Sequence, residues 1–188
     1  MMPSLFERDV LRHDLVQELI AQAEGLPVEL LVLLDNRQQS TGRKRQALLD
    51  LAAGDFLACL DDDDFVSTDY VSSILEQARL VPAADVIAFN SEATLDSGNP
   101  FTVRTSITFE NEQVRQEGGR WVDITRKPWH WCAWSRRLAR RATFPDTCVD
   151  DDWAWVGQML PMALVEARVD RVLHFYRFSS ISSRSSSR

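Results

Sequence analysis

The sequence predicts an α/β protein: one domain built on a mostly parallel central sheet flanked by helices. Two observations carry this expectation. Three short, nearly continuous apolar runs, VELLVLL (28–34), DFLACL (55–60) and DVIAF (85–89), have the composition of strands covered on both faces. Between them lie segments of helical periodicity, and strand–helix–strand alternation at this spacing is the pattern of right-handed crossover units. A length of 188 residues suits a single domain able to bury its own core.

The elements follow in order. Only Met1 and Met2 precede Pro3, so the first strand is expected to be short or missing, which would leave a sheet edge unpaired. A helix is expected from about residue 5 to 23. The 28–34 run ends at Asp35, after which Ser40 or Thr41 can cap the helix KRQALLDLAAG and Gly54 can end it. DFLACL runs directly into four aspartates, Asp61 to Asp64. Thr68 can cap DYVSSILEQARL, where Val71, Ile74, Leu75 and Ala78 share a face and Pro82 lies just beyond. Strict alternation in FTVRTSITF (101–109) predicts a half-exposed strand. WVDI, a tryptophan-rich KPWHWCAW, short helices in SRRLARRATF and DDWAWVGQML, and a last strand VLHFYRF follow. The Ser- and Arg-rich stretch 179–188 has nothing to bury and is expected to be disordered.

Composition narrows the classes. With 45% hydrophobic and 26% charged residues, the chain has no apolar run approaching the roughly 18 to 20 residues that span a bilayer. The N-terminal MMPSLFERDV lacks the pattern of a secretory signal, so a cytoplasmic location is expected. Cys59, Cys132 and Cys148 are odd in number without CxxC spacing, which predicts free thiols. A net charge of -7 disfavours broad nucleic-acid contact, and a nucleic-acid acceptor is not indicated by charge, although the RKR strip (43–45) can hold phosphates.

In a parallel α/β sheet, ligands bind at the carboxyl ends of the strands, which selects Asp35 and the Asp61–Asp64 run. Asp61 and Asp63, two apart, are the expected converging pair. Hard oxygen donors suit Mg²⁺ or Mn²⁺, held by one or two carboxylates and completed by substrate phosphates. A calcium loop fails on counting, because registers starting at Asp61 or Asp62 put Val66 or Ser67 where glycine is needed and Ser72 or Ser73 where a bidentate Glu is needed. A solvated acidic turn remains the rival reading.

The order of these pieces resembles the family 2 glycosyltransferases of the GT-A fold, over roughly residues 3–71 and 136–178. The resemblance rests on Pro3 and Ser4, on VELLVLLDN, on GRKRQALLDLAAGDFLACLDDDDF, and on VDDDWAW about 85 residues after the aspartate run. It implies a metal motif at Asp61 and Asp63 with Asp62 between them and Asp64 as a supporting acid. It also implies Asp35 against the donor base and Arg45 near the diphosphate, with Gln46 replacing the family's usual Asn. Asp152 would be the base that deprotonates the acceptor hydroxyl, and Asp151 would stand where the family has Glu. A late histidine, His174, is a candidate third metal ligand. Pro3, Ser4 and Arg43 join the donor side, and Trp131 is a candidate stacking residue, with burial as core an equal possibility.

The expected function is a metal-dependent inverting glycosyltransferase using a nucleotide-diphosphate sugar, UDP-sugar favoured, with residues 1–90 as the donor half and 91–178 as the acceptor half of one domain. Nucleotidyl transfer, an acidic binding module and a degenerate sugar-nucleotide binder remain as alternatives. PSLFER lacks the glycine-rich phosphate loop that nucleotidyl transfer would predict.

Overall fold

A computed structural model describes residues 1–96, 98–110 and 112–178. The 179–188 expectation lies outside them. Met2–Leu5 forms a short strand, β1, which pairs in parallel with β2 (Val32–Asp35) from Met2↔Val32 to Leu5↔Asp35. The first strand is therefore short rather than missing. Between them a 3-10 turn, Phe6–Arg8, leads into α1 (Asp9–Ala23). The expected strand from residue 28 begins only at Val32, because β1 offers partners to no more than four residues of it.

α2 (Thr41–Leu51) is capped as expected, with Ser40 Oγ accepting from Arg43 N at 3.1 Å. Phe56–Leu57 is β3, Phe65–Val66 is β4, and α3 (Tyr70–Leu80) follows Asp69. The third strand is longer than its apolar run: β5 spans Val86–Leu95 and crosses position 90, so the eight-stranded sheet draws on both expected halves, while β1 and β2 form a separate two-stranded sheet. β6 (Phe101–Thr105) buries alternate side chains as its pattern requires. β7 (Gln113–Glu117) and β8 (Arg120–Arg126) form a hairpin turned by Gly118 and Gly119, both at positive φ. β9 (Ala133–Ser135), α4 (Arg136–Ala139), α5 (Asp151–Met159) and β10 (Glu166–Phe178) complete the chain.

The α/β class, the single domain and the flanking helices are as expected, but the pairing is mixed rather than mostly parallel. β5 is central: β10 runs parallel along one edge, while β9 and β6 share the other edge, both antiparallel. β6 and β8 are parallel, and β3–β9, β4–β10 and β7–β8 are antiparallel. The reason is that DFLACL, read as a crossover strand, contributes only two residues to a ladder and meets β9 head to tail. Its remainder is extended between neighbours: Leu60 N bonds Met1 O, and Cys59 N bonds His130 O. These bonds carry β1 and the residues after β3 to the same end of the fold as the Trp129–Trp131 loop.

The core is continuous around the sheet, with Phe89, Trp134, Leu138, Trp155 and Met159 fully buried. α3 packs on β5 and β10, and α2 packs on β1, β2 and α5. Cys59 and Cys132 are buried free thiols and Cys148 is an exposed one. Among the described residues no helix is long and apolar enough to cross a membrane.

Candidate active site

The site gathers where β1, β2 and the 55–60 segment end. The four aspartates form a tight turn, closed by Asp64 N to Asp61 O at 3.2 Å and by Asp61 N to Asp64 Oδ2 at 2.8 Å. A turn of this kind brings its first and fourth residues together. Asp61 and Asp64 therefore face a common cavity of about 400 Å³, and Asp63 lies outside its lining.

Each aspartate has different partners. Asp61 accepts from Arg45 (2.6 Å) and lies 3.7 Å from His130 Nε2. Burial alone would raise its pKa, but Arg45 and His130 outweigh that and hold the carboxyl far below its ordinary value. Asp62 is buried, accepts from Ser4 Oγ at 2.6 Å and pairs with Arg8 at 2.8 Å. Asp63 pairs with the same guanidinium at 2.5 Å. Its pKa is pushed up to about 6 by burial and by the neighbouring carboxylates Asp61, Asp64 and Asp62, against the pull of Arg8. Asp64 is buried within 3.0 Å of His174 Nε2, whose Nδ1 hydrogen-bonds Ser91 Oγ at 2.8 Å.

Arg45 is the hub. It is 3% exposed and bridges Asp61 to Asp151, which it meets at 2.7 Å. Asp150, at φ 58, turns the chain into α5 so that the next two carboxylates diverge. Asp151 points to Arg45, and Asp152 lines the cavity. Asp152 accepts from Trp153 N at 2.8 Å, and its other oxygen lies 2.9 Å from His130 Nδ1, off the line of the ring N–H. Burial opposes ionisation of Asp152, but His130 and Arg45 bring its pKa down to about 2. The converse holds for buried His130, pushed up to about 9 by Asp152 and Asp61 against desolvation.

The rest of the cavity is aromatic. Trp131 lies flat on His174 (centroids 5.0 Å apart, planes 8° apart) and edge-on to His130. Trp129 stacks on Trp153 at 4.8 Å and carries the Arg126 guanidinium on its ring. Trp134 and Trp155, by contrast, are core.

The structure brings Ser4, Arg45, Asp61, Asp62, Asp151, Asp152, Trp131 and His174 into one network and puts others elsewhere. Asp35 is 7% exposed, with its oxygens taken by Lys44 Nζ (2.9 Å) and Gln39 N (2.7 Å). These bonds outweigh burial and lower its pKa. Lys44 also bonds Ser4 O at 3.0 Å, clamping the ends of β1 and β2, and Pro3 is buried in β1 beside them. Arg43 is exposed and faces Asp146. His174 reaches Asp64, not Asp61 or Asp63. Arg8 and Arg126 carry no sequence signal as site residues, and Lys44, part of the RKR strip, is used to clamp β1 and β2 rather than to face the cavity. His130 signals only that it can titrate; its partners are 69 and 22 positions away in the chain.

Among the described residues, no three His, Cys, Asp or Glu side chains converge as a ready-made metal site. The charge balance nevertheless fits a hard cation. Arg8 and Arg45 are the only permanently charged groups within ion-pair distance of Asp61–Asp64, Asp151 and Asp152 among the described residues. Burial is the main reason the Asp63 pKa is raised, and the neighbouring carboxylates Asp61, Asp64 and Asp62 add to it.

No protein-family model matches the chain. A stretch of 43 residues, 23% of this chain and 14% of the relative, is 51% identical to the succinoglycan biosynthesis protein ExoM of Rhizobium meliloti (strain 1021). Among solved structures, S. aureus TarS 1-349 in complex with UDP-GlcNAc superposes with a TM-score of 0.65 at 12% identity, covering 95% of this chain and 58% of that one. TarS 1-349 in complex with UDP gives 0.62 at 13% identity, covering 99% and 63%. These likenesses establish a shared fold. The chain spans less than two thirds of each of these proteins.

Proposed function

We propose that this chain is the donor- and acceptor-binding domain of a metal-dependent, inverting glycosyltransferase that takes a UDP-sugar. The observation that carries the reading is that Asp152 faces the same aromatic cavity as Asp61 and Asp64, with Asp61 and Asp151 locked together by Arg45. The fold it shares with a protein solved with UDP-GlcNAc supports the donor class, and the ExoM match supports sugar chemistry.

In this reading Asp61 and Asp63 would hold Mg²⁺ or Mn²⁺, with Asp64 and His174 beside them. The cation would act as a Lewis acid that neutralises charge on the departing diphosphate. Residues 1–90 would supply the donor side, with Ser4, Asp35 and Pro3 toward the nucleoside end and Arg45 toward the phosphates; Arg43, exposed against Asp146, would have to leave that partner to join it. Residues 91–178 supply the acceptor side.

An acceptor hydroxyl attacks the anomeric carbon opposite the leaving group, the bond from that carbon to the diphosphate oxygen breaks, and the hydroxyl proton passes to Asp152. A carboxylate of pKa about 2 is a weak base for a resting alcohol. The proton therefore moves late, once the forming bond has made the hydroxyl acidic. His130 keeps Asp152 ionised and oriented until then.

The test is a binding screen of nucleotide sugars with and without Mn²⁺, followed by a transfer assay. Asp63→Asn is expected to remove metal-dependent binding. Asp152→Asn is expected to keep binding and lose transfer by 10²-fold or more, on the order of general-base loss. Full transfer by either variant would defeat the assignment. Binding without transfer by the unmodified chain would favour the degenerate-binder alternative.

A further inference from the structure

Arg126, the last residue of β8, lines the cavity with its guanidinium carbon 3.7 Å from the centroid of the Trp129 ring. Its side chain is 21% exposed, and the carboxylate paired with it, Glu112, is itself half-exposed and stands 3.4 Å from Nε. No hydrogen bond from its terminal nitrogens to another described residue is present. Burial lowers its pKa, with Glu112 and Asp152 opposing. Stacking on Trp129 satisfies the flat face of a guanidinium but none of its in-plane N–H donors. A partly desolvated cation with unused donors at a cavity wall is the arrangement that recognises a planar or tetrahedral oxyanion.

The neighbours decide which oxyanion. Arg8 and Arg45 are paired with the aspartate turn and lie outside the cavity lining, whereas Arg126 lines the cavity together with Asp152, the residue assigned to the acceptor. The remaining lining includes Asp61, Asp64, Asp150 and Asp152, which would repel an anionic ligand unless a cation received it. A neutral acceptor would not need such a cation. Trp129 is covered by Trp153 and by the guanidinium, but Trp121 and Trp153 are exposed and line the same cavity, an apolar platform of the kind a sugar ring stacks on.

We propose that Arg126 and the indoles around it form a subsite for an acidic saccharide, whose ring lies on the tryptophans and whose carboxylate or phosphate is bound by the guanidinium. As a statement about the acceptor, this rests on the glycosyltransferase reading. As a binding site, it stands without it.

The experiment uses the full chain and its tryptophan fluorescence. Glucose, glucuronic acid and glucose 6-phosphate are titrated against the unmodified protein, Arg126→Gln and Arg126→Lys, with thermal melts to confirm folding. UDP binding with Mn²⁺ is measured in parallel by calorimetry. The unmodified protein is expected to prefer at least one acid over glucose by about 10-fold, as a charge-assisted hydrogen bond provides. Arg126→Gln is expected to bring that preference within about 2-fold and to leave UDP affinity unchanged, and Arg126→Lys to retain part of it. The carboxylate and phosphate arms tell the two oxyanions apart. Equal binding of neutral and acidic sugars, no binding of either acid, or an unchanged preference in Arg126→Gln would overturn the subsite. So would loss of UDP affinity in that variant, which would assign Arg126 to the donor diphosphate. An acid preference without any UDP binding or transfer in the unmodified protein would sink the glycosyltransferase reading and leave the subsite standing.

Discussion

Replacing Arg45 with methionine keeps most of the side-chain stem and deletes the charge that joins Asp61 to Asp151. Asp151 is 3% exposed, so the variant leaves a carboxylate buried without its cation, a change that costs about 3 to 5 kcal/mol when a buried pair is broken on one side. Asp61, with a side chain 32% exposed, is better solvated and adds less. The pH dependence follows from burial, which already raises the Asp151 pKa above the ordinary value despite Arg45. Without Arg45 it rises further, so between the unfolded and the folded pKa the folded state holds a proton that the unfolded state has released. Stability of the variant therefore falls as pH climbs above about 4, by up to about 1.4 kcal/mol per unit, until the folded pKa is passed. Urea unfolding followed by tryptophan fluorescence at pH 5 and pH 8 reads this directly. The expected loss is larger at pH 8, and Arg45→Met combined with Asp151→Asn recovers at least half of it. A loss below about 1 kcal/mol, or one equal at both pH values, would refute the reasoning that this bridge compensates a buried charge.

Two further perturbations probe the scaffold. Asp85 accepts from Leu164 N (2.9 Å), Val165 N (3.0 Å) and Arg137 (2.5 Å), bonds that outweigh burial and lower its pKa. Its stabilisation is present above pH 4 and lost as pH falls through the folded value, so Asp85→Asn should flatten the acid limb of a melting-temperature curve and cost about 1 to 3 kcal/mol at pH 7. A Cβ at Gly42 would lie 1.8 Å from the Pro145 carbonyl oxygen, whereas one at Gly157 meets nothing within 4 Å. Gly42→Ala should therefore cost about 1 to 3 kcal/mol and weaken the alignment of α2 with α5, while Gly157→Ala, inside a helix, should gain about 0.5 to 1 kcal/mol in the same thermal melts.

Local signals made much of the fold legible. Ser40 caps α2, the apolar spacing of 71–78 gives α3, and the alternation of Phe101, Val103 and Thr105 gives β6. What failed was partner choice. The run at 28–34 is apolar but for Glu29, yet Val28 is 38% exposed and only the residues opposite β1 become a strand. β7 is exposed at every position, so no alternation marked it; only the two glycines of its turn did. A mixed sheet and a parallel one share the same apolar runs, because the composition of a covered strand does not record the direction of its neighbour.

The aspartate run shows where pattern reasoning about a site reaches its limit. Spacing by two is the rule for side chains on one face of an extended segment, and it selects Asp61 and Asp63. The segment is instead a turn closed by Asp64 N on Asp61 O, and a turn pairs its first and fourth residues. Asp61 and Asp64 consequently share the cavity with Asp152, while Asp63 remains on the other side with Arg8. A cation held by Asp61 and Asp63 would have to displace Arg8, which pairs with Asp63 at 2.5 Å. Metal affinity is accordingly expected to increase when Arg8 is replaced by glutamine, as the proposed Asp61–Asp63 pair requires; an unchanged affinity would assign the cation to Asp61 and Asp64 instead. Calorimetric titration of Mn²⁺ into the two proteins separates the spacing rule from the turn rule.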